Sequence, residues 1–299
     1  MKTRPYFENV AIIGVGLIGG SLAYVLKGKG LCKNIVGIGR GIENLREAKR
    51  LRLVDEITQD IGSGVKDAGL VVVAVPVLKV AEVIKAAAPF LKKGAIVTDV
   101  GSVKQAIIDP VEINLPKGVH FVPGHPVAGT ENSGAASAVH GLFKGRKCIL
   151  TPTKKTNRKA LSIIKKLWQE AGSEVVLMDP RTHDRVMAAV SHLPHLIAYE
   201  LVNTVADAEN KKGEVLQYSA GGFKDFTRIA SSSPEMWADI CGMNKGFIIE
   251  MIEMFKKRLN IVERLVKKGD IAALKRDFSM AKGIRDSLID SLMKEKTVF

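Results

Sequence analysis

Apolar residues follow two rhythms along this chain. Through about residue 178, short apolar runs at 10–13, 35–38, 70–75, 95–99, 120–122, 147–150 and 174–177 alternate with stretches of helical spacing at 17–27, 42–51, 77–91, 103–113 and 157–171. The runs have strand length, and the intervening stretches place apolar residues every three or four positions. A weaker run at 56–57 supplies the third strand of the series. Strand and helix in alternation predict a parallel sheet covered on both faces, a Rossmann-type doubly wound α/β fold.

After residue 178 the strand signals stop. Asp179-Pro180 places a capping carboxylate before a proline of the first helical turn, and helical spacing runs on to about residue 210. Ser233-Pro234 repeats the device. Farther on, Ile248, Ile252, Phe255, Leu259, Val262 and Val266 form an apolar stripe that Gly269 closes. The pattern predicts an all-α second domain, with residues 1–178 as the α/β domain and 179–299 as the helical one. The stripe itself is either core or a subunit seam.

Composition narrows the class. The chain has 299 residues, 46% of them hydrophobic and 25% charged, the balance of a folded protein. Residues 1–9 lack the apolar core of a secretion signal, and the longest apolar run, 70–78, is too short to cross a bilayer, so a cytoplasmic location is expected. Cys32, Cys148 and Cys241 are odd in number and widely spaced, which points away from disulfides and cysteine–zinc sites. The net charge is +14, and nine Lys or Arg stand against one acid between Lys144 and Glu170. Apolar positions recur at helical spacing there, and aromatic residues do not interleave with the charges. A solvated basic helix face is therefore expected, with no nucleic-acid or membrane partner. A basic field of this kind also draws in a multiply anionic substrate.

Gly14-Val15-Gly16-Leu17-Ile18-Gly19 follows the first run and opens a helix. In that setting Gly14 permits a tight turn, Gly16 lets backbone approach a pyrophosphate, and Gly19 lets helix and strand close up. The first turn, with Leu17 and Ile18, presents its amides to the anion. The acid that would bind the adenosine ribose belongs near residues 39–40, where Gly39-Arg40 stands instead. Arg40 suits a 2′-phosphate or stacks on adenine, and Glu43 is a substitute acid, so the cofactor is NAD or NADP.

Three further clusters stand out: Asp99-Val100-Gly101-Ser102-Val103-Lys104, Gly124-His125-Pro126-Val127-Ala128-Gly129-Thr130-Glu131 and Ser191-His192-Leu193-Pro194-His195. Asp225-Phe226-Thr227-Arg228-Ile229-Ala230 joins them. With Gly19-Gly20-Ser21, these segments resemble the prephenate and arogenate dehydrogenase family of tyrosine biosynthesis, in order and across nearly the whole chain. The resemblance implies oxidative decarboxylation of a cyclohexadienyl acid, with hydride passing to a nicotinamide, and a homodimer paired through its helical domains. It implies His125 as acceptor of the substrate hydroxyl proton, with Ser102 beside it. It also implies Arg228 on a substrate carboxylate, His195 on the pyruvyl side chain, and Thr130, Glu131 and Asp225 lining the pocket, the two acids bonded to the arginine.

Each position has a plainer reading. His125 beside Pro126 suits a turn, Arg228 a surface ion pair, and Ser102 the N-cap of a helix starting at Val103. His183, Asp184, His192 and His195 invite a metal, but Pro194 is expected to disrupt the helix between the last two, and no metal is expected. The competing activities are an arogenate or cyclohexadienyl dehydrogenase and a β-hydroxyacid dehydrogenase, which would use a catalytic lysine. From another class, a nucleotide-sensing DNA-binding regulator suits the charge but lacks a recognition element.

Overall fold

A computed structural model describes residues 6–130 and 132–297. Strands β1 (Phe7–Ile13), β2 (Cys32–Ile38), β3 (Glu56–Thr58), β4 (Leu70–Val73), β5 (Ile96–Asp99) and β6 (His120–Val122) form one parallel sheet in the order β3-β2-β1-β4-β5-β6. The chain winds outward from β1 to β3, then restarts at β4 on the other side. That reversal leaves a crevice at the carboxyl ends of β1 and β4, where Ala74 N donates to Ile13 O at 2.7 Å. The central strands β4 and, from Val10 onward, β1 are apolar and buried on both faces, as a sheet covered on two sides requires: Val10, Ala11 and Ile12 are sealed, and so are all four residues of β4. The covering helices are α1 (Leu17–Gly28), α2 (Ile42–Arg50), α3 (Ile61–Val65), α4 (Val80–Ala87) and α5 (Gln105–Asn114).

A second, three-stranded sheet follows. In it β7 (Gly124–Pro126) runs antiparallel to β8 (Lys147–Leu150), which pairs in parallel with β9 (Glu174–Leu177). Helix α6 (Arg158–Glu170) makes the crossover and buries Ala160, Ile164, Leu167 and Trp168. Its Lys165 and Lys166 face water, as a solvated basic face requires. Strand β7 has no counterpart in the apolar runs, because Gly124-His125-Pro126 carries no period-two pattern and is recruited by pairing with β8.

Beyond β9, Asp179 caps α7 (Pro180–Met187) by accepting from the amides of Arg181 and Thr182 at 3.0 and 3.1 Å. The expected break at Pro194 does not occur. Residues Ala188–His192 form one π-helical stretch, and the helix resumes as α8 (Leu193–Lys212) with Pro194 in its first turn. Widening the helix just ahead of Pro194 makes room for the ring and for the carbonyl its missing N–H leaves unbonded. The remaining helices are α9 (Gly221–Thr227), α10 (Pro234–Met243), α11 (Lys245–Lys268) and α12 (Ile271–Thr297). Ser233 caps α10 through Met236 N at 3.2 Å.

By compactness the chain divides after Ile248. The first unit holds both sheets and the helices through α10. The second is a helical hairpin turned at Gly269, whose φ of 66° lies in the left-handed region that glycine favours. Arg258 pairs with Asp277 across the hairpin.

Candidate active site

The glycine loop lies at the crevice. Gly14 has φ of 94°, and a Cβ there would meet Ala74 O at 2.3 Å, so no other residue fits without displacing backbone. At Gly19 a Cβ would meet Gly14 O at 2.3 Å. Gly16 differs: nothing lies within 4 Å of its would-be Cβ, and α1 starts there without a side-chain cap. Open space beside uncapped amides at a helix N-terminus fits a pyrophosphate, with Leu17 and Ile18 in the first turn. Arg40, just past β2, is exposed, and its carbonyl accepts from Gln59 Nε2 at 2.5 Å. Glu43 pairs instead with Arg46 at 2.7 Å.

Beside the crevice, at the end of β5, Asp99 is wholly buried and paired with the equally buried Lys104. Asp99 also accepts from Gly101 N at 2.9 Å and Gly124 N at 3.2 Å, while Lys104 Nζ donates to Gly124 O at 2.8 Å. The pair thereby fixes both polar groups of the residue before His125. Ser102 stands half-buried on the turn between these anchors. It does not cap α5, which begins at Gln105. Asp184 does so from α7, accepting from Lys104 N at 2.8 Å and Gln105 N at 2.9 Å.

His125 is half-buried on β7, its Nδ1 2.9 Å from Nε2 of His183. His183 in turn meets Asp184 Oδ1 through Nδ1 at 2.8 Å. Burial, then the nearby His183, Lys104 and His192, hold the His125 pKa well below the ordinary imidazole value. Burial likewise lowers that of His183 against the opposing pull of Asp184, and pushes His192 down to about 4. His192 shares Asn244 with α7: Asn244 Nδ2 lies 3.1 Å from His192 Nδ1 and donates to Asp184 O at 2.8 Å. Among the described residues no cluster suited to a metal ion occurs.

On α8, His195 binds Ser191 O through Nδ1 at 2.8 Å and stacks on Trp237, centroids 3.9 Å apart. Burial chiefly, and Arg228 in part, lower its pKa, so the arginine's charge is felt at this ring. Arg228 is exposed on the 3-10 turn Arg228–Ser231, and Asp225 is exposed on α9. The expected bond from Asp225 to Arg228 is absent among the described residues, because both side chains reach into solvent. Thr130 is exposed and accepts from Asn132 N at 3.3 Å, and Glu131 lies outside the described residues. Sequence reasoning missed Lys104, Trp237, and the joining of His183 and Asp184 to His125. Lys104 ends the Asp99-Val100-Gly101-Ser102-Val103-Lys104 segment, and Trp237, one of two tryptophans, lies just after the Ser233-Pro234 cap.

Two family models match most of the chain. One, described as the nucleotide-binding domain of prephenate dehydrogenase, matches residues 22–177; the other, its dimerization domain, matches residues 179–280. A prephenate dehydrogenase of Bacillus subtilis is 37% identical over 282 residues, covering 94% of this chain and 76% of the relative. A cyclohexadienyl dehydrogenase of Zymomonas mobilis is 39% identical over 267 residues, covering 88% and 90%. The crystal structure of prephenate dehydrogenase from Aquifex aeolicus, in complex with hydroxyphenyl propionate and NAD+, superposes with a TM-score of 0.88 at 39% identity, covering 94% of this chain and 98% of that one.

Proposed function

The chain belongs to the prephenate dehydrogenase family, and we propose that it oxidatively decarboxylates prephenate to 4-hydroxyphenylpyruvate at the site around His125. The observation that carries this reading is a half-buried imidazole, its pKa held well below the ordinary value by burial, at the carboxyl end of a dinucleotide-binding sheet, in a chain that matches the family along most of its length.

A bound oxidised nicotinamide supplies a hydride acceptor for C4 of the ring. His125 takes the C4 hydroxyl proton as the C–H bond breaks, and Ser102 orients the hydroxyl or the imidazole. The ring carboxylate leaves as carbon dioxide, its bonding pair aromatises the ring, and the resulting phenolate recovers the proton from His125. Arg228 holds a substrate carboxylate with paired, directed hydrogen bonds, and His195 contacts the pyruvyl side chain. Thr130, Glu131 and Asp225 line the approach. Gly14, Gly16, Leu17, Ile18 and Gly19 hold the pyrophosphate and Arg40 the adenosine end, with NADP accepted as well as NAD.

Residues 1–178 serve the cofactor in this reading, and 179–299 serve substrate and subunit pairing. The hairpin of α11 and α12 exposes Leu259, Val266, Phe278, Met280 and Ile284, an apolar surface suited to a second copy of the chain. A solution mass of 32.4 kDa across micromolar concentrations would contradict a homodimer. No helix among the described residues is long and apolar enough to cross a membrane. A cytoplasmic enzyme is proposed, checked by its recovery in the detergent-free soluble fraction after lysis. The activity is tested by absorbance at about 340 nm, crossing prephenate and arogenate with NAD and NADP. Reduction of cofactor with prephenate supports the reading; reduction with arogenate alone, or with neither, overturns it.

A further inference from the structure

Two buried groups outside the proposed chemistry, His183 and Asp184, form one chain of hydrogen bonds with His125. Asp184 accepts two backbone N–H groups, Lys104 N on Oδ1 and Gln105 N on Oδ2, and its Oδ1 also lies 2.8 Å from His183 Nδ1. Backbone amides can only donate and occupy both Asp184 oxygens, so the carboxylate is the acceptor and the proton between Asp184 and His183 belongs to His183 Nδ1. A neutral His183 then has a bare Nε2. Since that atom lies 2.9 Å from His125 Nδ1, the proton of this second bond belongs to His125. The ring planes are twisted by 72° with centroids 5.1 Å apart, so each ring presents a nitrogen edge to the other, as an in-plane N–H meeting an in-plane lone pair requires.

We infer that His183 and Asp184 are positioning residues that hold His125 as the Nδ1–H tautomer and leave its Nε2 bare as the proton acceptor. The use made of Nε2 rests on the proposed prephenate chemistry; the tautomer does not. The buried carboxylate also stabilises the imidazolium formed when Nε2 takes a proton, as the aspartate of a serine-protease triad does for its histidine. Reversing either bond would put a proton on His125 Nε2 and abolish its basicity. The charged and titratable groups facing this chain are Lys104 and Asp99 from the β5–α5 turn, and His192 beyond Asp184. Burial keeps both rings of the chain neutral near neutral pH, the state in which the direction of the bonds is defined. Asp184 also ties the chain to the α5 N-terminus, just after Ser102, so one carboxylate sets the position of both groups proposed to meet the hydroxyl.

The test reads the tautomer directly. Long-range proton–nitrogen NMR correlations of protein labelled with 15N-histidine, with the His125 signals identified by their loss in His125→Asn, are expected to show a protonated Nδ1 and a bare Nε2 at pH 7.5. A protonated Nε2 on neutral His125 would overturn the inference, whatever the substrate proves to be. Kinetics give a second reading. In His183→Gln the amide oxygen can accept from His125 and the amide nitrogen can donate to Asp184, whereas His183→Leu breaks both bonds. The leucine variant is expected to lose on the order of 100-fold in kcat, with both KM values within about threefold, and the glutamine variant to recover at least about tenfold of that loss. Equal losses in the two variants would assign His183 to packing alone and overturn the inference.

Discussion

Lys104 and Asp99 form an ion pair from which water is wholly excluded, both side chains at 0% exposure. Lys104 also bonds to Gly124 O at 2.8 Å, so the pair joins β5 to the strand that carries His125. Removing one member would leave the other charge buried and uncompensated. Lys104→Met is therefore expected to cost about 3–5 kcal/mol of stability in urea unfolding. A loss below about 1 kcal/mol would show that the pair does not hold this turn.

Acid should destabilise the fold through its buried histidines. The pKa values of His125, His183 and His192 are all lowered, primarily by burial, and that of His192 falls from 6.5 to about 4. In the unfolded chain each takes up a proton near pH 6.5, while the folded chain resists until lower pH. Their contribution to stability is thus intact above about pH 6.5 and declines as pH falls toward the folded values; His192 alone accounts for about 3 kcal/mol by pH 4. Urea unfolding is expected to show lower stability at pH 5 than at pH 7.5, with a shallower dependence in His192→Gln. Equal stability at both pH values would contradict this.

The elements that could be read from sequence are those whose signal is local. The glycine loop, the Asp179-Pro180 and Ser233-Pro234 caps and the stop at Gly269 each depend on residues a few positions apart. What escaped depends on distance along the chain. Asp184 caps a helix that starts some eighty residues earlier, so Ser102, the nearest residue of capping type, was the natural but wrong candidate. His125 has the sequence context of a turn and becomes a strand residue only because β8 pairs with it. At Pro194 the local rule was sound, and a π-helical stretch absorbed its consequence. His183 and Asp184, with His192 and His195, invite a metal in the sequence because their residue types are those of ligands; only the folded geometry shows the first two bonded to each other and to His125.

Arg228 is exposed, and its charge acts on His195. If it holds a substrate carboxylate equally in ground and transition states, its loss raises KM and spares kcat. Arg228→Ala is expected to raise the prephenate KM at least about tenfold, with cofactor KM within a few-fold and only partial rescue by Lys. A normal prephenate KM, or a parallel collapse of cofactor binding, would remove Arg228 from the substrate site.

Arg40 stands where a ribose-binding acid is usual, and Glu43 is engaged with Arg46. Activity with NADP should be measurable, and Arg40→Ala should weaken NADP more than NAD. Equal losses for the two cofactors, or no NADP turnover in the parent protein, would show that Arg40 does not read the 2′-phosphate.

The role of His125 as acceptor of the hydroxyl proton is read most directly in the kcat of His125→Asn in prephenate oxidation. The substitution is expected to lower kcat by about two orders of magnitude or more, the usual contribution of general acid–base help, while the prephenate KM changes little. An unaltered kcat, with hydride transfer shown by an isotope effect to limit the rate, would contradict it.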